Sequence, residues 1–328
     1  MITRRNFLSI SAKSLALFPF LFSTRANAAS LSKLVLAGPP APLSLPLARL
    51  AKKTTLPTTL PNMEMRQWRN PDIMRAWMIS GEVQVSAAPS NAAAILYNKG
   101  LPVRLLDINN GGILSILTSN PSIKKFTDIK GEKVLLFFRG DTPDMIVRYL
   151  ATKQGISPDT DMDISYVDSP FEALQMLLSS RAETVLLPEP AATAAIMNGK
   201  SHGMKLTRIV LQDVWEQVTG SKLPLPLGGT ICQASLAEEH PEIIKELQIG
   251  IKQSIEWINQ HPAEAAQEFA GFFGLKAPVL QKSLETFPIS QLTAKVAKKD
   301  LEFYYTTLME MSPKLIGGKL PDDAFYLG

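Results

Sequence analysis

The sequence predicts an α/β protein in which open, mainly parallel sheets are flanked by helices. Three observations in the stretch Ser165–Met197 and just before it predict this. Ile164–Val167 is a short β-type run, and Thr184–Leu187 is an apolar run too short for a helix but long enough for a buried strand. Between them Phe171, Leu174, Leu177 and Leu178 recur at helical spacing. The joins carry the right punctuation: Asp168-Ser169-Pro170 opens a helix with an N-cap and an early Pro, and Pro188-Glu189-Pro190 ends the second strand before Ala191–Ala195 opens the next helix. Two parallel strands joined by a helix form a βαβ unit.

Loops at the carboxyl ends of strands form the usual ligand crevice of an open α/β sheet, and helix N-termini there present unpaired N–H groups. Asp168, Ser169 and Glu189 are therefore candidate ligand contacts. The plain alternative is that Asp168 and Glu189 only cap helices or face solvent.

In chain order, Leu31–Ala37 reads as a strand, followed by the turn Gly38-Pro39-Pro40-Ala41-Pro42 and an apolar segment Leu43–Lys52 that can be a helix. Thr59–Gln67 reads as a second strand, and Asn70-Pro71-Asp72 starts a helix whose Ile73, Met74, Trp77 and Met78 form a core face. Trp68, in the loop between them, is placed to stack on a flat ligand. Val83–Val85 is a third strand, and the loop Ser86–Asn91 leads into the Ala-rich helix Ala92–Asn98. Its small residues allow either close ligand approach, which makes Ser86 and Asn91 candidates, or close helix–sheet packing.

Val103–Ile108 is a fourth strand ending in a polar loop, Asn109-Asn110-Gly111-Gly112, whose Asn109 and Asn110 amides can both donate and accept. Lys133–Phe138 is a strand, and Arg139-Gly140-Asp141-Thr142-Pro143-Asp144 opens the helix Met145–Gln154. That turn either caps the helix or presents N–H groups, the Thr142 hydroxyl and Arg139 to a negative group. Arg208–Gln212 is a possible further strand, Leu223–Gly229 a Pro/Gly-rich crossing, and Thr230–Ala234 a returning strand. From Glu242 the pattern is helical, with an apolar stripe Ile243, Leu247, Ile251, Ile255, Ile258, then Pro262–Phe273, Ala277–Thr286 and Asp300–Met311, the last packed down by Phe303 and Tyr304. Ile316–Gly328 is a Gly/Pro-containing tail.

The phrases FTDIKGEKV, GISPDTD and LPEPAA, in this order, resemble the substrate-binding proteins of bacterial ABC importers. The similarity is to the class of nitrate, aliphatic sulfonate and taurine binders and thiamine-pyrimidine-precursor binders. It implies a two-lobed periplasmic binding protein of type II, with residues 29–117 and 228–328 in one lobe and 118–227 in the other. The resemblance places Gly38 and Pro39 in the ligand cleft and the hinge at two crossings, near Gly112–Ser119 and Leu227–Gln233, and hinge closure around ligand is the usual action of such proteins. It implies a monomeric periplasmic receptor that traps a small anionic or zwitterionic ligand and delivers it to a membrane permease, without catalysis. Arg139 with Thr142 is expected to hold an anionic group, with Asp168 or Glu189 orienting the other end. Two alternatives share the fold: a sensor subunit that presents ligand to a receptor kinase, and an enzyme like the thiamine-pyrimidine synthases, whose Cys-rich iron motif is absent here.

Composition bounds the rest. The 328 residues, 45% of them apolar, suffice for a substantial core in one or two domains. Met1–Ala28 reads as a cleavable export signal, with Arg4-Arg5, the apolar run Leu15–Phe22 and the small-residue site Ala26-Asn27-Ala28. Thr3-Arg4-Arg5-Asn6-Phe7-Leu8 resembles the twin-arginine signal, although Ser9 stands where that pattern often has Lys. Four of the 34 basic residues (Arg4, Arg5, Lys13, Arg25) lie in this segment, which has no Asp or Glu, leaving 30 basic residues against 30 acidic. That balance argues against nucleic acid as a partner. The lone Cys232 forms no internal disulfide, and three scattered histidines support no metal site. No Gly-x-Ser-x-Gly elbow and no phosphate-cradling Gly-rich loop is present, and no motif calls for a cofactor.

Overall fold

In the first sheet β1 (Lys33–Gly38) is buried on both sides, and its alternation shows why. Leu34 and Leu36 enter one apolar cluster while Val35 and Ala37 enter another on the opposite face. A strand covered on both faces has to be apolar throughout, because successive side chains point to opposite sides. The computed structural model describes residues 31–52, 60–69, 71–221 and 224–328, without the side chains of Pro71 and Asn110. The expected export segment Met1–Ala28 lies outside these residues.

β1 runs parallel to β2 (Asn62–Gln67) and β3 (Val85–Pro89). β4 (Val103–Gly111), β10 (Pro226–Gln233) and β11 (Leu292–Thr293) complete the sheet in the order β11-β4-β10-β3-β1-β2, with β10 antiparallel to both its neighbours. The helices α1 (Leu45–Lys52), α2 (Pro71–Ser80) and α3 (Ser90–Asn98) connect its early strands. The second sheet has the order β7-β6-β8-β5-β9. It contains β5 (Leu114–Thr118), β6 (Lys133–Phe137), β7 (Asp163–Val167), β8 (Thr184–Pro188) and β9 (Thr207–Val210). Its helices are α4 (Thr142–Lys153), α5 (Pro170–Leu178), α6 (Ala191–Ser201) and α7 (Leu211–Thr219). β7 and β8 are both parallel to β6, which lies between them, so the βαβ unit read from the sequence spans a strand it did not include. After β10 come α8 (Ala234–Glu239), α9 (Pro241–Gln260), α10 (Pro262–Phe269), α11 (Ala277–Thr286) and α12 (Ala294–Met311).

The chain leaves the first sheet between Gly111 and Leu114 and returns at Pro226, and Gly111 pairs with Pro226, so the two passages lie side by side. β5, whose residues 114–117 were expected in the first lobe, pairs with β8 and β9 of the second sheet. Gly112 makes the turn between β4 and β5 with φ +67°, a left-handed conformation that favours glycine.

Several local expectations change. Ser86–Asn91 is no loop: β3 continues to Pro89 because β10 supplies its hydrogen-bonding partner, with Ala87 opposite Thr230. Asn109 likewise sits in β4, not in a polar loop, for the same reason. Arg208 is in a strand, but Leu211 onward is the helix α7, which buries Leu211, Val214 and Trp215. α12 starts at Ala294 behind the cap Thr293. Its Tyr304 is buried while Phe303, one position round the helix, is 45% exposed. The tail is also structured: Leu327 N–H donates to Leu105 O at 2.9 Å, tying it to β4.

Candidate functional site

Polar side chains from both sheets meet where β8 ends. The N–H of Glu189 donates to Ile113 O at 2.9 Å, which sets this loop against the β4–β5 turn. The Glu189 side chain is almost fully buried. A buried carboxylate needs charge and hydrogen-bond partners, and Glu189 finds them on two other elements. Its Oε1 lies 2.9 Å from Nη2 of Arg208 on β9, and its Oε2 accepts from Ser283 Oγ on α11 at 2.7 Å. Arg208 also donates from Nη2 to Thr193 Oγ1 at 3.3 Å and rests its guanidinium over the Phe287 ring at 5.3 Å. Val279 of α11 enters the apolar cluster of α5, β8 and α6. The C-terminal helices thus reach across to the second sheet.

On the facing side, Asp107 of β4 is wholly buried. Its Oδ1 accepts from Thr230 N–H at 3.0 Å and Asn109 Nδ2 at 3.3 Å, and its Oδ2 from Gln291 Nε2 at 3.0 Å. Burial outweighs these bonds and pushes its pKa from 3.8 up to about 6. The sign follows from linkage. A carboxyl held protonated by the fold to a higher pH than in the unfolded chain stabilises fully below about pH 4, and this is lost as pH rises through 6. Asp107→Asn should flatten stability against pH between 4 and 7, where the parent loses on the order of 3 kcal/mol. Urea melts across that range check it, and equal slopes in the two proteins would rule out Asp107 as the source.

Asn109, 2% exposed, donates from Nδ2 to Asp107 and to Thr230 Oγ1 at 3.4 Å, while its Oδ1 has no hydrogen-bond donor. Asn109, Glu189, Ser283 and Phe287, with Gly111 and Ile113, line a cavity of about 10 Å³. That is about the space one water needs.

The other expected contacts fall elsewhere. Gly38 packs against Ser44, whose Oγ donates to Pro39 O at 2.6 Å, so the first loop is tightly closed. Trp68 is core rather than displayed: it is 5% exposed and its Nε1 donates to buried Ser86 Oγ at 3.1 Å. Asn91 is buried with Nδ2 3.5 Å from Leu315 O. The side chain of Asn110 is among those not described. Arg139 is exposed, with its guanidinium 5.2 Å from the Tyr166 ring centroid. Asp141 caps α4 by accepting from Thr142 N–H at 2.7 Å, and the Thr142 hydroxyl is buried, without a hydrogen bond, near the Tyr304 phenol. Exposed Asp168 donates its N–H to Glu172 Oε2 at 3.2 Å, and Ser169 Oγ accepts from Glu172 N–H at 3.2 Å. That is a reciprocal cap on α5. The structure therefore brings Asn109 and Glu189 to one cavity and leaves Arg139, Asp168 and Ser169 on other business.

Sequence reading missed Asp107, Arg208, Ser283 and Phe287 as site residues. Arg208 carried one usable signal, a lone cation inside a short β-type run. Ser283 and Phe287 carried none, since a helical Ser and a loop Phe are ordinary. Among the described residues no group of His, Cys, Asp and Glu could hold a metal ion, and no helix is long and apolar enough to cross a membrane. Cys232 is buried, and burial raises its thiol pKa.

Residues 55–308 match the model of a family described as menaquinone biosynthesis. No curated protein sequence matches the chain. Solved structures with the same fold include an ABC transporter protein from Parabacteroides distasonis, 20% identical, with a TM-score of 0.75 over 90% of this chain and 99% of that one. The periplasmic aliphatic sulphonate binding protein of Escherichia coli is 16% identical, with a TM-score of 0.68 over 88% of this chain and 96% of that one. The periplasmic nitrate-binding protein of Synechocystis is 14% identical, with a TM-score of 0.64 over 86% and 82%. The chain thus has the two-lobed fold of periplasmic binding proteins, as its phrases implied.

Proposed function

We propose that this chain, which belongs to the menaquinone biosynthesis family, is a ligand-binding protein that holds a small molecule between its two sheets. On this reading it is exported through the Met1–Ala28 signal, by the twin-arginine route, and acts in the periplasm as a monomeric receptor for an ABC permease. The lobes are taken as the two sheets with their helices, joined at Gly111–Leu114 and before Pro226. One observation carries the reading: buried polar groups from both sheets, Asn109 on one side and Glu189, held by Arg208, on the other, line one small cavity beside the two chain passages. That is where hinge closure traps a ligand. Native mass spectrometry of the chain purified from periplasm tests it. A discrete added mass that disappears on unfolding is expected, and a bare apo mass from cells grown in rich medium would count against it.

The family description favours a second reading, an enzyme of a biosynthetic route on the same fold. Asp107, titrating near 6 and one hydrogen bond from Asn109, is the group to examine as acid or base. Recovery of the bound molecule unchanged after prolonged incubation supports the receptor, and a changed mass supports the enzyme.

A further inference from the structure

We infer that the ligand of this cleft presents N–H or O–H donors to Asn109 and Glu189, and is a neutral or zwitterionic molecule rather than a bare oxyanion. The inference rests on the binding reading above and narrows it.

The amide of Asn109 has a fixed orientation. Its Nδ2 faces the Asp107 carboxylate at 3.3 Å and Thr230 Oγ1 at 3.4 Å. A flipped amide would set oxygen against that carboxylate, so Oδ1 is the free end. It is buried in a cavity wall and accepts from no donor. Glu189 Oε1 is the second such atom: Arg208 neutralises it at 2.9 Å, yet no aligned hydrogen bond reaches it. One buried amide oxygen without a donor, beside a carboxylate oxygen that has an ion pair but no aligned hydrogen bond, leaves a cost that a donor-bearing guest reduces.

Charge points the same way. Arg208, the cation at this junction, does not line the cavity; its Nη2 is engaged by Glu189 and Thr193, while its Nε is buried without a hydrogen-bond partner. Arg139, which the sequence offered for an anion, is exposed and lies over Tyr166. Asp107 stands two residues from Asn109 with its own carboxylate. A nitrate or sulfonate oxygen entering here meets the Asn109 and Glu189 acceptors, and the Ser283 hydroxyl on the cavity wall is already held by Glu189. Sites built around hydrogen bonds discriminate strongly against partners of the wrong polarity, because their buried groups are left unpaired. The space holds about one water as the lobes stand, so they must part to admit anything larger.

The test is a thermal-shift screen and calorimetry on the mature chain with matched probes: taurine against ethanesulfonate, which lacks only the ammonium, and cytosine against nitrate. Taurine or cytosine should stabilise the chain and bind at least tenfold more tightly than its acceptor-only counterpart. Asn109→Leu should weaken that binding at least tenfold. Ser283→Ala, a smaller change that frees Glu189 Oε2 as a further acceptor, should leave donor binding equal or tighter, whereas an oxyanion would lose its hydroxyl donor and bind more weakly. Ethanesulfonate or nitrate binding as tightly as the donor probes, and weakening in Ser283→Ala, overturns this inference while leaving the receptor reading standing. No response to any probe, together with a bare apo mass, overturns both.

Discussion

Gly229→Ala is expected to destabilise the first sheet severely. Gly229 lies in β10, between Ala88 of β3 and Ile108 of β4, at a shift of register between β10 and β4. A Cβ built there comes 1.8 Å from Asp107 O, 2.7 Å from Asp107 C and 2.9 Å from Ile108 Cα. All three are backbone atoms of the adjacent strand, so no rotamer change relieves the overlap. The two strands must separate, which breaks the central ladder of the first sheet and displaces Asp107 with it. The expected loss exceeds about 4 kcal/mol, in the range reserved for a few severe mechanisms, against a total stability on the order of 10 kcal/mol. Soluble yield and urea midpoint read it directly. Gly271→Ala is the control, because a Cβ there meets nothing within 4 Å. A Gly229→Ala protein that melts with the parent would show that the strands can separate cheaply.

The second large effect is at Glu189. Replacing it with Ala strands Arg208, only 15% exposed, without a counter-charge and takes the acceptor from Ser283. Breaking one side of a buried pair leaves an unpaired charge at a cost of about 3–5 kcal/mol, and the partial exposure of Arg208 lowers this to about 2–4 kcal/mol. The double variant Glu189→Ala/Arg208→Ala should recover part of the loss, since neither charge is then left alone. Chemical melts of the four proteins give the coupling. Strict additivity would mean that the two side chains do not stabilise each other across the junction.

Local patterns were legible because they are written within a few residues. Ser169 does cap α5, as Asp168-Ser169-Pro170 implied, whereas at α4 the expected Thr142 cap is replaced by Asp141, one residue earlier. Thr184–Pro188 is a buried strand, as its apolar run required. Asn109 was misread as loop because its strand partner, β10, begins more than a hundred residues later. Ser86 was misread for the same cause. Trp68 shows a third kind of miss: an aromatic after a strand end can face out or in, and the Ser86 hydroxyl that decides it comes from β3.

The sequence by itself determined the α/β class, several helix starts and the apolar strands, because periodicity, caps and turn residues act over short range, while the two-lobed plan came from the family resemblance of its phrases. Only the tertiary structure decided which polar groups meet. Glu189, Arg208 and Ser283 come from a loop, a strand and a helix far apart in the chain, and Asn109, bonded to Asp107, shares their cavity from another sheet. Nothing in their local sequence marks them as a set. The physical reason is burial: a charge or amide removed from water must find its partner in space, and which partner lies within reach depends on how the two sheets come together.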